Sequence, residues 1–272
     1  QELKAGDETV WQMNQIYGYE DSTASGFVHE TVTGTTNVTS NSTYFSEGTH
    51  SVLFNHLENS KGNYTLQNSL NLVEFSNLYV EFDHIAALES DNSWWTSVYD
   101  FGIVEYSADG GATWVSFKPT DYIGTSDPIV STADVQRFSK ISYTDWNTTL
   151  FSETSNPTNS LWKTERFNIP SNIDLDDFKI RFVLQGDGST NYKGWYIDNV
   201  KVKGERIPIT TWTPITNLYT DELATVPYLA GEDAATVYYK STVAHTPLNY
   251  MVTVANSLDC EITKEFTVET IE

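Results

Sequence analysis

Along most of this chain apolar and polar residues alternate with the two-residue period of a β-strand. In Leu78-Tyr79-Val80-Glu81-Phe82-Asp83-His84-Ile85, Leu78, Val80 and Phe82 share one face. From Asp176 to Leu184, Phe178, Ile180, Phe182 and Leu184 face inward while Lys179 and Arg181 face outward. The run Gly194-Trp195-Tyr196-Ile197-Asp198-Asn199-Val200-Lys201-Val202 reads as a closing strand. The period of two puts Tyr196, Asp198, Val200 and Val202 on one face and Trp195, Ile197 and Lys201 on the other. A carboxylate among core residues is costly unless it is hydrogen-bonded, paired or holding a cation. Asp198 is therefore expected to tie down the edge of a β-domain by one of those means.

Turn residues punctuate the strands. Asp100 to Ser107 reads as a strand, Ala108-Asp109-Gly110-Gly111 as a tight turn, and Thr113 to Phe117 as the returning partner. Ser90 to Ser97 is a polar loop that carries two adjacent tryptophans, Trp94 and Trp95. Residues 119–160 form a long irregular excursion, the kind of segment that is functional or a local insertion. After Gly204 the texture changes: Ile207-Pro208-Ile209 reads as a linker, and short strands follow at 236–240, 249–255 and 265–268. That spacing fits a small immunoglobulin-type sandwich. Almost no helical period occurs anywhere. The expectation is an all-β chain with a large domain over 1–206 and a smaller β-sandwich over 207–272.

Composition narrows the partners. Lys and Arg number 15 against 37 Asp and Glu, a formal net charge of −22. Such a chain repels nucleic acid and anionic lipid, and suits a soluble protein, a calcium-rich medium or both. No apolar run approaches the ~20 residues that span a bilayer, so no membrane insertion is expected. The single cysteine, Cys260, allows no internal disulfide. Gln1 is not a methionine and no export signal follows it, so the chain is expected to be a processed product or part of a longer one.

The segment Phe101-Gly102-Ile103-Val104-Glu105-Tyr106-Ser107-Ala108-Asp109-Gly110-Gly111-Ala112-Thr113-Trp114 resembles the V-E-x-S-x-D-G-G-x-T-W hairpin of MAM-like jelly-roll domains. Those domains occur in large secreted proteins of the Bacteroidetes and beside some secreted metallopeptidases. The pair formed by Phe178–Leu184 and Gly194–Val200 is similar to that family's closing strands, and the resemblance covers roughly residues 10–205. The tail has its own likeness. Trp212-Thr213-Pro214, Leu218 to Asp221, Pro227-Tyr228, Gly231, Val237 to Lys240 and Tyr250 to Ser257 resemble the Ig-like repeats of flavobacterial surface adhesins. Many of those repeats carry two cysteines; here Cys260 stands alone, with Glu222-Leu223-Ala224-Thr225 around the other position. The resemblances imply export, often by the type IX system, and residence outside the cell or on its surface.

Three kinds of site present themselves. Jelly rolls of the carbohydrate-binding type often pin the first strand to the last with structural calcium, and the resemblance suggests Glu20, Asp21 and Asp198 as ligands. The alternative for Asp198 is hydrogen bonding without an ion. Trp94 and Trp95 are candidates for stacking on a sugar ring, or else they pack as core. Tyr99, Tyr122 and Trp146 are further candidates for the same surface.

Catalytic signals are weak. His29-Glu30 lacks the second histidine of a zinc-protease motif, and no Gly-x-Ser-x-Gly stands in strand-turn-helix context. Glu81-Phe82-Asp83-His84 resembles the start of the Glu-x-Asp-x-x-Glu strand of some jelly-roll glycosidases but lacks its third carboxylate. The sequence thus points to a non-catalytic adhesion or glycan-binding segment, with polysaccharide, glycan or another surface protein as partner. A structural stalk is the alternative, as are accessory domains of a secreted hydrolase whose catalytic domain lies elsewhere.

Overall fold

The structure is a computed structural model that describes residues 2–4, 11–17, 26–91, 97–241, 247–255 and 261–268. Its first strands are β1 (Glu2–Lys4), β2 (Trp11–Tyr17), β3 (Phe27–Thr33), β4 (Thr36–Asn41), β5 (Ser51–His56), β6 (Lys61–Leu66) and β7 (Phe75–Ala87). Then come β8 (Phe101–Ser107), β9 (Val115–Ser116), β10 (Tyr122–Ile123), β11 (Arg137–Phe138), a short helix α1 (Thr144–Thr149), β12 (Lys163–Asn168), β13 (Lys179–Gln185) and β14 (Gly194–Arg206). The chain continues with β15 (Ile209–Thr213), β16 (Leu218–Tyr219), β17 (Thr236–Tyr239), β18 (Leu248–Ala255) and β19 (Glu261–Val268).

Two compact units result. Met13–Gly204 form the larger, and Glu205–Glu272 with Gln1–Gln12 form the smaller. The units differ from the expected 1–206 and 207–272 at the N-terminal end, because β1 pairs antiparallel with β17, Leu3 opposite Val237. Only Ile207 and Pro208 separate β14 from β15, so the expected linker is two residues long.

The larger unit is a jelly-roll β-sandwich. One sheet has the order β10-β12-β7-β14-β5-β4, with β2 also paired to β14; the other has the order β11-β8-β13-β6-β3, with β9 beside β8. From β5 through β8, and again from β12 through β14, successive strands cross from sheet to sheet. Each sheet thus presents an apolar face to the other. Between them Phe54, Phe82, Phe138, Phe167, Phe182 and Trp195 are fully buried. The Phe82 ring meets Phe182 edge-on at 5.1 Å between centroids. Gly102 is glycine because a Cβ there would lie 2.6 Å from the Trp195 ring.

The alternation along β7 and β13 matches burial of Val80, Phe82, Ile180 and Phe182. Along β14 it does not hold. Trp195 and Ile197 are buried in the main core, and so are Val200 and Val202, two pairs of opposite parity. Asn199, at φ +51°, shifts the parity between them. A residue in the left-handed region kinks the strand and returns the next side chain to the core face, and asparagine tolerates that region better than most. The expectation that Tyr196, Asp198, Val200 and Val202 share a face is corrected accordingly. Tyr196 and Asp198 lie on the opposite side from Trp195 and are covered by the 42–50 segment. Tyr44 meets the Tyr196 ring edge-on at 5.5 Å, and Ser46 bonds Asp198.

The smaller unit is a β-sandwich of two three-stranded sheets, β1-β17-β16 and β15-β18-β19. Trp212, Leu218, Tyr228, Val237, Tyr250, Val252 and Val268 form its core. Trp212 donates from Nε1 to the Ala234 carbonyl at 2.7 Å, which satisfies the one polar atom of a buried ring.

Candidate functional site

Four polar groupings of the larger unit bear on function. The first is an open cleft of about 510 Å³ formed by the excursion after β10 and by the segment that follows β7. Asp91, Ser126, Asp127, Tyr143, Thr144 and Asn147 supply its polar groups. The excursion builds this wall from short turns: Asp127 caps a turn by accepting from the Ile129 amide at 3.0 Å, and α1 presents Thr144 and Asn147. Asp91 also anchors a loop, its amide donating to the Ser97 carbonyl at 2.8 Å. Trp94 and Trp95 belong to the five residues between these ends and lie outside the described residues.

Behind the cleft sits a buried carboxylate. Glu165, on β12, is fully buried and accepts from the Tyr143 hydroxyl at 2.6 Å and from the Tyr122 hydroxyl. His84 Nε2 lies 2.9 Å from the same carboxylate, and Trp195 Nε1 donates to His84 Nδ1 at 2.9 Å. With Nδ1 accepting, the ring proton lies on Nε2 and points at Glu165. Burial, then the Glu165 charge, pushes the Tyr122 hydroxyl up to about 12 and raises Tyr143 further. Both phenols are therefore hydrogen-bond donors to a carboxylate, not acids at work near neutrality. Tyr122 and Trp146 are thus not stacking platforms. Trp146 is fully buried with Nε1 on the Leu161 carbonyl at 2.6 Å, and of the three further aromatic candidates only Tyr99 is exposed.

The third grouping surrounds Asp198. Its Oδ2 accepts from the Ser46 amide at 2.8 Å and the Glu47 amide at 3.3 Å, Oδ1 accepts from the Asn199 amide at 2.8 Å, and the single Ser46 hydroxyl proton is shared between Asp198 Oδ2 at 3.0 Å and Asp83 Oδ2 at 2.8 Å. Burial raises this carboxyl against the lowering effect of those bonds. Asp83 lies alongside, taking the Thr164 hydroxyl at 2.6 Å and Asn199 Nδ2 at 3.2 Å. The 42–50 segment thus supplies three hydrogen-bond donors to Asp198. Glu20 and Asp21 lie outside the described residues. In the Glu81-Phe82-Asp83-His84 stretch, Glu81 holds Arg166 at 2.8 Å and Lys203 at 2.7 Å, while His84 is buried in the core with Phe82. Glu81 and Asp83 are engaged in pairs and networks away from His84, so the stretch brings no acid and base together over one cleft.

The fourth grouping was not marked by any sequence motif. Glu89 follows β7, Asp100 precedes β8 and Asp187 follows β13. One oxygen from each lies within 4.8 Å of the others. The Asp100 amide donates to the Glu89 carbonyl at 3.0 Å, which closes the base of the loop that carries Asp91 and Ser97. Burial, followed by the neighbouring acids, pushes Glu89 up to about 7. Burial and the Asp187 charge push Asp100 up to about 7 despite two backbone donors. The sequence signal was slight: a single acid at the head of an apolar strand, with its partners over ten residues before and over eighty after. Cys260 lies outside the described residues.

No protein-family model matches the chain, and no curated protein matches it. Among solved structures it is similar to TmCBM61 in complex with β-1,4-galactotriose, at 14% identity and TM-score 0.38, over 68% of this chain and 93% of that one. A second is the Caldicellulosiruptor saccharolyticus module CBM27-1 in complex with mannohexaose, at 14% identity and TM-score 0.42, over 70% and 96%. A third is the Endo-D glycoside hydrolase domain of Streptococcus pneumoniae R6, at 8% identity and TM-score 0.38, over 89% of this chain and 37% of that one. With TM-scores below 0.5, these likenesses assign no residue of this chain to a site.

Proposed function

We propose that the chain is a non-catalytic binding segment of an exported surface protein, and that its larger unit binds polysaccharide or glycan. The observation that carries this reading is the open polar cleft, one of whose lining residues, Asp91, stands three positions before Trp94 and four before Trp95 in the sequence. Sugars are bound by hydroxyl, amide and carboxylate groups that take their hydroxyls, together with aromatic faces that take their C–H surfaces. The cleft offers the first set, and the loop sequence offers the second. An acidic chain with net charge −22 fits a neutral glycan better than nucleic acid or anionic lipid.

The test is binding of the purified chain to a glycan panel that includes β-1,4-galactotriose and mannohexaose, repeated with Trp94→Ala/Trp95→Ala and with Thr144→Ala/Asn147→Ala. Saturable binding lost in both variants is expected. Wild-type binding unaltered in both would move the site elsewhere, and no binding to any glycan would favour the stalk. A second reading, contact with another surface protein, is favoured by the smaller unit. There Leu223 is 79% exposed and Leu229 64%, on one segment between β16 and β17. Under that reading, adhesion of chain-coated beads to cells falls with Leu223→Ser/Leu229→Ser and not with the tryptophan variants.

A further inference from the structure

We propose that Glu89, Asp100 and Asp187 hold a calcium ion at the base of the 89–100 loop, a site distinct from the one suggested for Asp198. The three carboxylates converge, but convergence of acids is not enough. What points to a cation is a set of buried acceptors without donors. Asp100 is fully buried; its Oδ1 accepts from the Asp187 amide at 2.9 Å, while Oδ2 receives nothing. Glu89 Oε2 is likewise buried and unsatisfied.

His56, 3% exposed, supplies the independent observation. Its Nδ1 lies 3.1 Å from the Leu57 carbonyl, so Nδ1 carries the proton, and the Nε2 lone pair is left without a partner. That nitrogen faces Asp100 Oδ2 at 3.4 Å with no hydrogen bond between them. The ring is fixed there: a Cβ on Gly186 would lie 2.5 Å from Nδ1, and Gly186 leads directly into Asp187. Buried polar atoms are rarely left unpaired, and several acceptors around one point call for a positive centre.

The donor set selects the ion. Three carboxylates are hard ligands, the class that calcium takes at flexible, oxygen-rich sites, and the His56 imidazole borders the site without being counted as a ligand. The Lys140 charge also acts on Glu89, and its ammonium donates to Asn147 Oδ1 at 3.3 Å. Asp187 retains one oxygen for the ion after Oδ1 accepts the Ser189 amide at 2.9 Å. The ligands come from the ends of β7 and β8 and from the segment between β13 and β14, so the ion would join both sheets. It would also clamp the two ends of the loop that contains Trp94 and Trp95. The ion site stands on its own geometry; its consequence for glycan binding rests on the function proposed above.

The experiment is calorimetric titration of calcium into the EDTA-stripped full chain, with thermal unfolding measured in parallel. Wild type should bind calcium and melt at a higher temperature when loaded. Glu89→Gln and Asp187→Asn, at half-buried positions, should each weaken calcium by about ten-fold or more, with the apo melting temperature little changed. Asp100→Asn should abolish binding if it folds, and the two milder variants decide the matter if it does not. Absence of a calcium isotherm for wild type would overturn the proposal, leaving a shared proton to bridge His56 and Asp100. So would calcium binding that survives Glu89→Gln/Asp187→Asn and is lost instead in Glu20→Gln/Asp21→Asn/Asp198→Asn. A chain that binds calcium but no glycan would retain the ion site and refute only the glycan reading.

Discussion

Glu165 shows how one side chain organises a core. It faces inward from β12 opposite Phe82, where an apolar residue would be the simpler choice, and it draws two phenols and an imidazole toward itself. Its oxygens accept from both phenols and lie against the imidazole nitrogen, which concentrates donors on one side chain. Glu165→Gln keeps the shape but sets an amide donor against those donors, and should cost about 4 kcal/mol by the logic of a broken buried charge. Tyr122→Phe removes one donor and leaves two, at about 2 kcal/mol for a bond to a charged group. Urea denaturation ranks the two variants. A Glu165→Gln loss smaller than that of Tyr122→Phe would mean that the carboxylate is not what gathers these donors. Because Tyr143 reaches from this network to the cleft, either variant should also weaken any ligand bound there.

At the scale of elements, β14 carries the instructive departure. Its position as the closing strand, and its tie through Asp198, were legible from the run Gly194 to Val202. Its facing was not, because one residue at positive φ reverses the parity and period-two reasoning has no term for it. Asn199→Gly and Asn199→Val both lose the bond to Asp83, and the valine variant should be the less stable of the two by about 2 kcal/mol, the cost of forcing a β-branched residue into the left-handed region. Equal stability of the two variants, by thermal unfolding, would show that the strand runs straight. The hairpin with Asp109-Gly110-Gly111 was legible for the opposite reason: both glycines take positive φ, at +70° and +102°, and the turn advertises itself by composition. The carboxylate grouping was illegible because its members sit at the ends of different strands and meet only when both sheets close. Aromatic content alone also misled at Trp146, which sits in a short helix whose inward side no strand period could reveal.

Across the whole molecule some of the acidic charge is answered locally, by loops that solvate a single carboxylate with backbone amides. The same device occurs in both units. Asp109 accepts the Thr113 amide and hydroxyl at 2.8 and 2.6 Å; Asp221 accepts the Thr225 amide and hydroxyl, each at 2.8 Å. The hydrogen bonds from Thr113, with one from Ser107, hold Asp109 down to about 2, and bonds from Val226 and Thr225 lower Asp221. Both folded-state values lie below the ordinary aspartate value of 3.8. The unfolded chain therefore binds more protons at acid pH, and the stabilisation is present above about pH 4 and lost as pH falls toward 2. Denaturation midpoints followed between pH 5 and pH 2 should decline for the wild-type chain. Asp109→Asn should flatten that decline in the larger unit alone, and Asp221→Asn in the smaller, with tryptophan fluorescence and Trp212→Phe used to tell the units apart. Parallel declines in wild type and Asp109→Asn would show that this turn contributes nothing to acid sensitivity. The proton uptake would then belong to the carboxylates paired with lysine and arginine, foremost Glu81, whose ion pairs with Lys203 and Arg166 outweigh its burial.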